Sequence, residues 1–246
     1  MSEKLTLVTG GSRGIGAATA RLCAAAGHKV IVNYRADDEA AANVVSDIIA
    51  AGGSAITISA DTSNEAEVMA MFETIDRDHG LLTGLVNNAG VHGPRGHLAE
   101  LSKDQIDHVL GVNVVGCFLC AREAIKRMSI TQEGKGGAIV NVSSGSAISG
   151  SPKDGILYAA SKGAVNSLTI GLSQEVAIEG IRVNTVSPGL TETDMPTPDA
   201  FERLAPKLPM GRAGKPQEIA EAIVWLLSDA ASYVSGANLR VGGGKP

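Results

Sequence analysis

Short, continuously apolar runs alternate with longer amphipathic segments along all 246 residues, and this alternation limits the fold more than any single motif does. The runs "KLTLVTG", "KVIVNY", "SAITISAD", "GLVNNAG", "GAIVNVSS", "IRVNTVSPG" and "ANLRVGG" read as strands. Between them, "IGAATARLCAAAG" (closed by Gly27), "DEAAANVVSDIIAAGG", a segment near 64–79 and "LYAASKGAVNSLTIGLSQEVAIEG" read as helices. A further helix opens on the capping box "SKDQ", with Ser102 as cap and Gln105 reaching back, and "KPQEIAEAIVWLLSD" carries Pro216 in its first turn. Strands that are apolar on both faces must be covered on both faces by helices. Repeated β-α units of this kind predict an α/β fold with a doubly wound parallel sheet of about seven strands. No linker, repeat or low-complexity stretch divides residues 1–246, so one domain is expected.

Composition narrows the partners. Aromatic residues are 3% of the chain, the net charge is −5 and no basic run occurs, which argues against a nucleic-acid ligand. No apolar run looks long enough to span a membrane, and "MSEKLTLVTG" lacks a signal-peptide design, so a cytoplasmic setting is expected. Cys23, Cys117 and Cys120 form an odd set with no disulfide framework. "CFLC" at 117–120 matches C-x-x-C, but it lies inside "VLGVNVVGCFLCAREAI", where two packed core thiols are expected instead of a redox pair. No second Cys or His pair completes a metal site.

The first strand runs through "TGGSRGIG" directly into a helix. Gly10, Gly14 and Gly16 would let the backbone turn tightly and approach a pyrophosphate at the helix N-terminus. "GGSRG" also satisfies G-x-S-x-G, the nucleophile elbow of hydrolases, with Ser12 as nucleophile. That reading needs a later acid and then a histidine, yet the histidines are His28, His79, His92, His97 and His108, all in the first half of the chain. Dinucleotide binding is preferred.

"YAASK" places Tyr158 and Lys162 four apart on one helix face. A phenol with a pKa of roughly 10 is a weak acid–base catalyst, and a neighbouring ammonium favours its ionised form. From spacing alone, a surface pair on an amphipathic helix is the better reading. Context adds Ser144, at the end of "AIVNVSS", where the loops of a parallel sheet gather ligands.

In "TGGSRGIG", Asp61, "NNAG" at 87–90, Asn113 in "GVNVVG", Ser144, "YAASK" and "SPGLTET" at 187–193, the chain resembles the short-chain dehydrogenase/reductase family over essentially its whole length. The resemblance implies a single-domain Rossmann fold and hydride transfer between a nicotinamide cofactor and a small carbonyl or alcohol substrate. It implies that Tyr158 is the general acid/base and that Ser144 holds the substrate oxygen. Lys162 would bind the nicotinamide ribose and lower the Tyr158 pKa, and Asn113 would sit in a distorted helix whose main chain holds a relay water. The cofactor would be held by Gly10, Ser12, Arg13, Gly14, Ile15 and Gly16 at the turn, and by Asn33, Tyr34, Arg35, Asp61 and Thr62 on the adenine side. Asn88, Ala89, Gly90, Tyr158, Lys162, Pro188, Gly189, Leu190 and Thr193 would complete its site. Sugar-dehydrogenase-like and 3-oxoacyl-carrier-protein-reductase-like members are the most similar in pattern.

Two departures stand out. Val241 is followed by Gly242-Gly243-Gly244 where the family usually has V-D-G-G, and "GSAISGSPKDGIL", between Ser144 and Tyr158, is slightly longer than usual. Similar proteins form tetramers through the helices after Asn113 and around Tyr158, so a homotetramer is expected. The rival from another class is a non-catalytic dinucleotide-binding regulator on the same fold.

"VNYRADDEA" bears on the cofactor. Its three acids suggest a ribose-holding carboxylate, but the family pattern puts the selecting residue at Tyr34, where an NAD-preferring member carries Asp. Arg35 and Arg13 could bracket a 2′-phosphate, and Asp37, Asp38 and Glu39 suit a helix start. NADP(H) is therefore expected. By the resemblance, substrate contacts should come from "VHGPRGHLAE", the Ser–Tyr segment and the flap "TETDMPTPDAFERLAP"; His92, Arg95 and His97 could meet a polar or anionic substrate, though solvated loop residues are the preferred reading of all three.

Overall fold

A computed structural model describes residues 4–245. Seven strands form one sheet: β1 (Lys4–Val8), β2 (His28–Tyr34), β3 (Ser54–Ser59), β4 (Gly84–Asn87), β5 (Gly137–Val142), β6 (Ile181–Pro188) and β7 (Asn238–Val241). Their order is β3-β2-β1-β4-β5-β6-β7, and every neighbouring pair is parallel. The chain therefore winds outward from β1 to β3, returns to the other side of β1, and winds outward again to β7. The loops after β1 and β4 diverge at that reversal, which opens a crevice at the C-terminal edge of the sheet.

Side chains alternate between two buried layers. Leu5, Leu7 and Ile31 face one cluster with Phe72, Ile75, Cys120 and Met128, while Val8, Val30 and Val32 face another with Ala20, Val44, Ile223 and Leu226. The first layer is closed by α3 (Glu65–Asp78), α5 (Gly116–Met128) and α7 (Ile156–Glu175). The second is closed by α1 (Gly14–Ala25), α2 (Asp38–Ala50) and α9 (Pro216–Leu227). Shorter helices are α4 (Lys103–Leu110), α6 (Ser146–Ser149) and α8 (Pro198–Leu204). The doubly wound parallel sheet expected from the alternation is present, while α6 and α8 lie in segments read as loops. Each is too short to show a full amphipathic period in sequence.

Local chemistry sets several boundaries. The Asp37 carboxylate accepts from the Ala40 amide at 3.0 Å, and Asp38 and Glu39 lie in the first turn of α2, so the three acids do serve a helix start. Ser102 and Gln105 form the expected reciprocal box, at 3.2 and 3.0 Å. Between α4 and α5 the helix carries a π turn, Gly111–Val115, closed by the Gly116 amide on the Gly111 carbonyl.

The membrane expectation needs correction. The continuous helical run Lys103–Met128 is long and apolar enough by composition to cross a membrane. Its apolar stretch is half buried against the sheet, where Cys120, Ala121, Ala124 and Met128 join the core, and this packing accounts for its hydropathy.

Candidate active site

The crevice is built first by close backbone approach. Gly10 adopts φ +60°, and a Cβ there would fall 2.9 Å from the Ala89 Cα. A Cβ on Gly16 would fall 2.2 Å from the Gly10 carbonyl oxygen, so only glycine lets α1 start this close to the turn. The Asn88 amide donates to the Thr9 and Gly10 carbonyls at 2.9 and 3.0 Å, tying the β4 loop to the glycine turn. Asn33 is buried behind that turn; its amide group donates to the Ala60 carbonyl at 3.0 Å and accepts from the Gly10 amide at 3.4 Å. Its side chain is thus a brace of the turn.

The first turn of α1 has no acidic residue and no side-chain cap from Arg13. Its N–H groups and dipole therefore face the crevice, an arrangement that suits a pyrophosphate. Thr193 of the flap comes over the same place, since a Cβ on Gly14 would meet its methyl group at 3.2 Å. Asp61 lies at the tip beyond β3. Burial works against its charge, but the Ser63 hydroxyl and amide, Arg35 and His108 together hold its pKa below the usual value. The Arg35 guanidinium stands 3.8 Å from the Asp61 carboxylate and is more than half exposed. Tyr34 closes β2, and the Asp38 carboxylate near its phenol raises its pKa.

The second half of the site comes from β5, α7 and the π turn. Ser144 follows β5, and its hydroxyl accepts from the Ser146 amide at 3.1 Å. Tyr158 and Lys162, one turn apart on α7, are only 8% and 4% exposed. The Lys162 ammonium donates to the Val142 carbonyl at 2.8 Å and lies over the Tyr158 ring, 5.8 Å from its centre. Burial pulls the Lys162 pKa down to about 8. Burial also pushes Tyr158 up, and only the hydrogen bond with Ser144 pulls it back. The expected lowering of the phenol pKa by Lys162 is therefore absent here, because the ammonium is committed to Val142 and faces the ring.

Asn113 lies inside the π turn, the distortion expected for it. Its carboxamide accepts from the Val91 amide at 2.8 Å and donates to the Val91 carbonyl at 2.8 Å and the Ser161 hydroxyl at 3.0 Å. Ser161 in turn donates to the Tyr158 carbonyl at 2.7 Å, and the Ser143 hydroxyl donates to the Lys162 carbonyl at 3.0 Å. These two serines lock α7 to its neighbours. Nothing in their spacing singled them out beforehand.

His92 stacks on Tyr158, with ring centres 4.9 Å apart and planes 20° from parallel. Burial and then Arg95 lower its pKa, so the ring is neutral near pH 7. Arg95 is ion-paired with Asp154 and donates to the Met195 carbonyl at 3.5 Å, linking all three substrate-side segments. His97 is exposed, before a 3-10 turn. The longer Ser–Tyr segment takes its extra length as α6 followed by a tight turn in which Ser151 and Lys153 have φ of 42° and 64°, and this turn delivers Asp154 to Arg95. Among the described residues, no cluster of His, Cys, Asp or Glu is grouped to hold a metal ion. Cys117 and Cys120 are buried free thiols whose pKa values burial raises, as core packing of "CFLC" requires.

A glycine turn at a switch point, with a Tyr–Lys pair and a serine on the opposite wall, defines an oxidoreductase site of the Rossmann class. The family model described as enoyl-(acyl carrier protein) reductase matches residues 10–245. The uncharacterized oxidoreductase YgfF of Escherichia coli is 50% identical over 98% of this chain and 99% of its own. A 3-oxoacyl-[acyl-carrier-protein] reductase of Synechocystis is 37% identical over 99% of this chain and 97% of its own. The solved short chain dehydrogenase of Burkholderia cenocepacia in complex with NADP superposes with a TM-score of 0.90, at 36% identity, covering 98% of this chain and 97% of its own. The chain belongs to the short-chain dehydrogenase/reductase family and is an oxidoreductase of that family.

Proposed function

We propose that the protein is an NADP(H)-dependent oxidoreductase that interconverts a carbonyl and a secondary alcohol. The observation that carries this reading is that Tyr158 lies beside Ser144 and Lys162, with Asn113 tied to the same helix through Ser161. Bound cofactor supplies or accepts the hydride. Tyr158 gives a proton to the substrate oxygen in reduction and takes one in oxidation. Ser144 hydrogen-bonds the same oxygen as negative charge develops there, when a fixed donor is worth most. Lys162 would hold the ribose hydroxyls, and its charge favours the phenolate when it faces the hydroxyl. Asn113 fixes the π turn on Val91 and Ser161, so that a water on its main chain could pass the proton outward.

NADP(H) is supported by Tyr34 at the end of β2, which cannot chelate ribose hydroxyls as a carboxylate does. The exposed guanidiniums of Arg35 and Arg13 are suited to a 2′-phosphate. The NADP complex of the Burkholderia relative is in keeping with this choice. Gly10, Ser12, Gly14, Ile15 and Gly16 would carry the pyrophosphate, Asp61 and Thr62 the adenine, and Asn88, Ala89 and Gly90 the adjacent ribose. Pro188, Gly189, Leu190 and Thr193 would carry the carboxamide end. We place the enzyme in the cytoplasm as a homotetramer; three buried free thiols suit a reducing compartment, and α5 and α7 keep apolar side chains exposed.

The test is NADPH consumption across ketones, diketones, aldehydes and sugars, comparing wild type with Tyr158→Phe. Loss of about 10³-fold or more in kcat is expected for the variant. Turnover that survives it refutes the mechanism, while NADPH binding with no turnover on any compound favours a regulatory protein. Arg35→Ala should weaken NADPH at least tenfold and leave NADH almost unchanged.

A further inference from the structure

We propose that Arg240 is a positioning residue: its guanidinium locks the Ser144 loop to the Pro188–Gly189 turn, and so sets the separation between the substrate oxygen and the nicotinamide end of the cofactor. The inference rests on the function proposed above and extends it to a residue on the edge strand β7.

Arg240 Nη1 donates to the carbonyls of Ser187 and Pro188 at 2.9 and 2.8 Å, and Nε donates to the Lys245 carbonyl at 3.2 Å. The Pro188 carbonyl also accepts from the Gly145 amide at 3.0 Å, so one oxygen is shared by the arginine and by the residue after Ser144. The guanidinium lies directly against the Gly145 backbone. A Cβ at 145 would fall 1.9 Å from Nη2 and 2.2 Å from Cζ, which means that the arginine occupies the space of a side chain there. On the other side the Gly189 amide donates to the Val241 carbonyl at 2.8 Å, and a Cβ on Gly189 would fall 2.8 Å from the Gly242 Cα. Both walls of the nicotinamide end therefore converge on one planar group.

This accounts for Gly242, where the family pattern usually has Asp. A Cβ at 242 would lie 3.0 Å from Nε, Cζ and Nη2, so a side chain would crowd the guanidinium, and a carboxylate would compete with the backbone carbonyls for it. An apolar filler could cover this edge without desolvating a charge. The guanidinium holds two carbonyls in fixed directions through Nη1 while Nε holds a third, which a filler cannot do. Its half-buried state, which lowers its pKa, is the cost of that direction.

The test compares Arg240→Met, Arg240→Lys, Gly145→Ala and the Arg240→Met/Gly145→Ala double variant. Amide hydrogen exchange is read over 142–148 and 185–192, with the NADPH Kd by fluorescence, and kcat and KM. Arg240→Met should exchange faster in both segments and bind NADPH several-fold more weakly. It should lose about tenfold or more in kcat with little change in substrate KM, the pattern of misplacement and not of lost binding. Arg240→Lys should recover part of the loss. Gly145→Ala should impair wild type and cost less in the Arg240→Met background, because its Cβ then meets a flexible chain. Wild-type exchange and NADPH affinity in Arg240→Met overturn the proposal, as do strictly additive effects in the double variant. Should Arg240→Met fail to fold, Gly145→Ala alone decides: faster exchange over 185–192 supports the clamp and unchanged exchange refutes it. An inactive wild type refutes the proposed reaction, whereas exchange and NADPH affinity still judge Arg240.

Discussion

Lys162 shows most directly how the site trades stability for chemistry. Burial holds its pKa at about 8, down from 10.5, so below pH 8 the fold retains an ammonium it would be more stable without. The unfolded chain binds more protons than the folded one between those values, so this penalty is full at neutral pH and fades as pH rises from 8 toward 10.5. Lys162→Met should therefore abolish turnover yet raise Tm at pH 7 by about 5 °C, a gain of roughly 2 kcal/mol after the lost bond to Val142. Thermal melts at pH 7 and pH 10 check this, and an equal gain at both would refute the ionic origin. That Tyr158, Lys162, Ser144 and Asn113 lie close together was legible because a named pattern and the strand–helix context coincided. His92 and Arg240 were not legible. Their importance arises from a ring stack across two loops and a clamp between residues more than fifty positions apart, and neither leaves a periodic trace.

At the scale of the element, α5 shows a second electrostatic device, away from the chemistry. Glu123 is buried on a largely apolar face, where it accepts from Arg122, Lys126 and Arg127, each at 2.9 Å. Burial opposes its charge, but these three donors hold its pKa at about 2. Its contribution is thus present above the ordinary 4.5 and is lost as pH falls toward 2. Glu123→Gln should cost about 2 kcal/mol at pH 7, because it removes the buried negative charge on which Arg122, Lys126 and Arg127 converge. Urea midpoints at pH 7 and pH 4 measure it, and the gap between variant and wild type should narrow at the lower pH. The helical run that ends in α5 was legible from the capping box at Ser102 that opens it. The π turn that precedes α5 was foreseen only through family resemblance, since one extra residue in a helical ring does not disturb the hydrophobic pattern enough to be counted.

For the whole molecule, the alternation of strands and helices was legible almost throughout, because burial on both faces leaves each strand continuously apolar. The surface was less so. Phe118 on α5 and Ile170 on α7 are 50% and 57% exposed, and Trp225 on α9 is 43% exposed. Such side chains suit a helix–helix interface between copies. Light scattering should give a mass of four chains, and Phe118→Glu should shift it to a smaller species; a monomeric wild type would refute the tetramer.

The place of β1 between β2 and β4 in the sheet has a consequence for synthesis. On one side Lys4 pairs with His28, soon after it is made, but on the other Thr6 must wait for Gly84. Until that residue leaves the ribosome, the strand ending in the glycine turn is an open edge carrying Leu5, Leu7 and Val8. A strand buried on both sides in the finished enzyme is thus the one that the nascent chain must shield longest from pairing with a stranger.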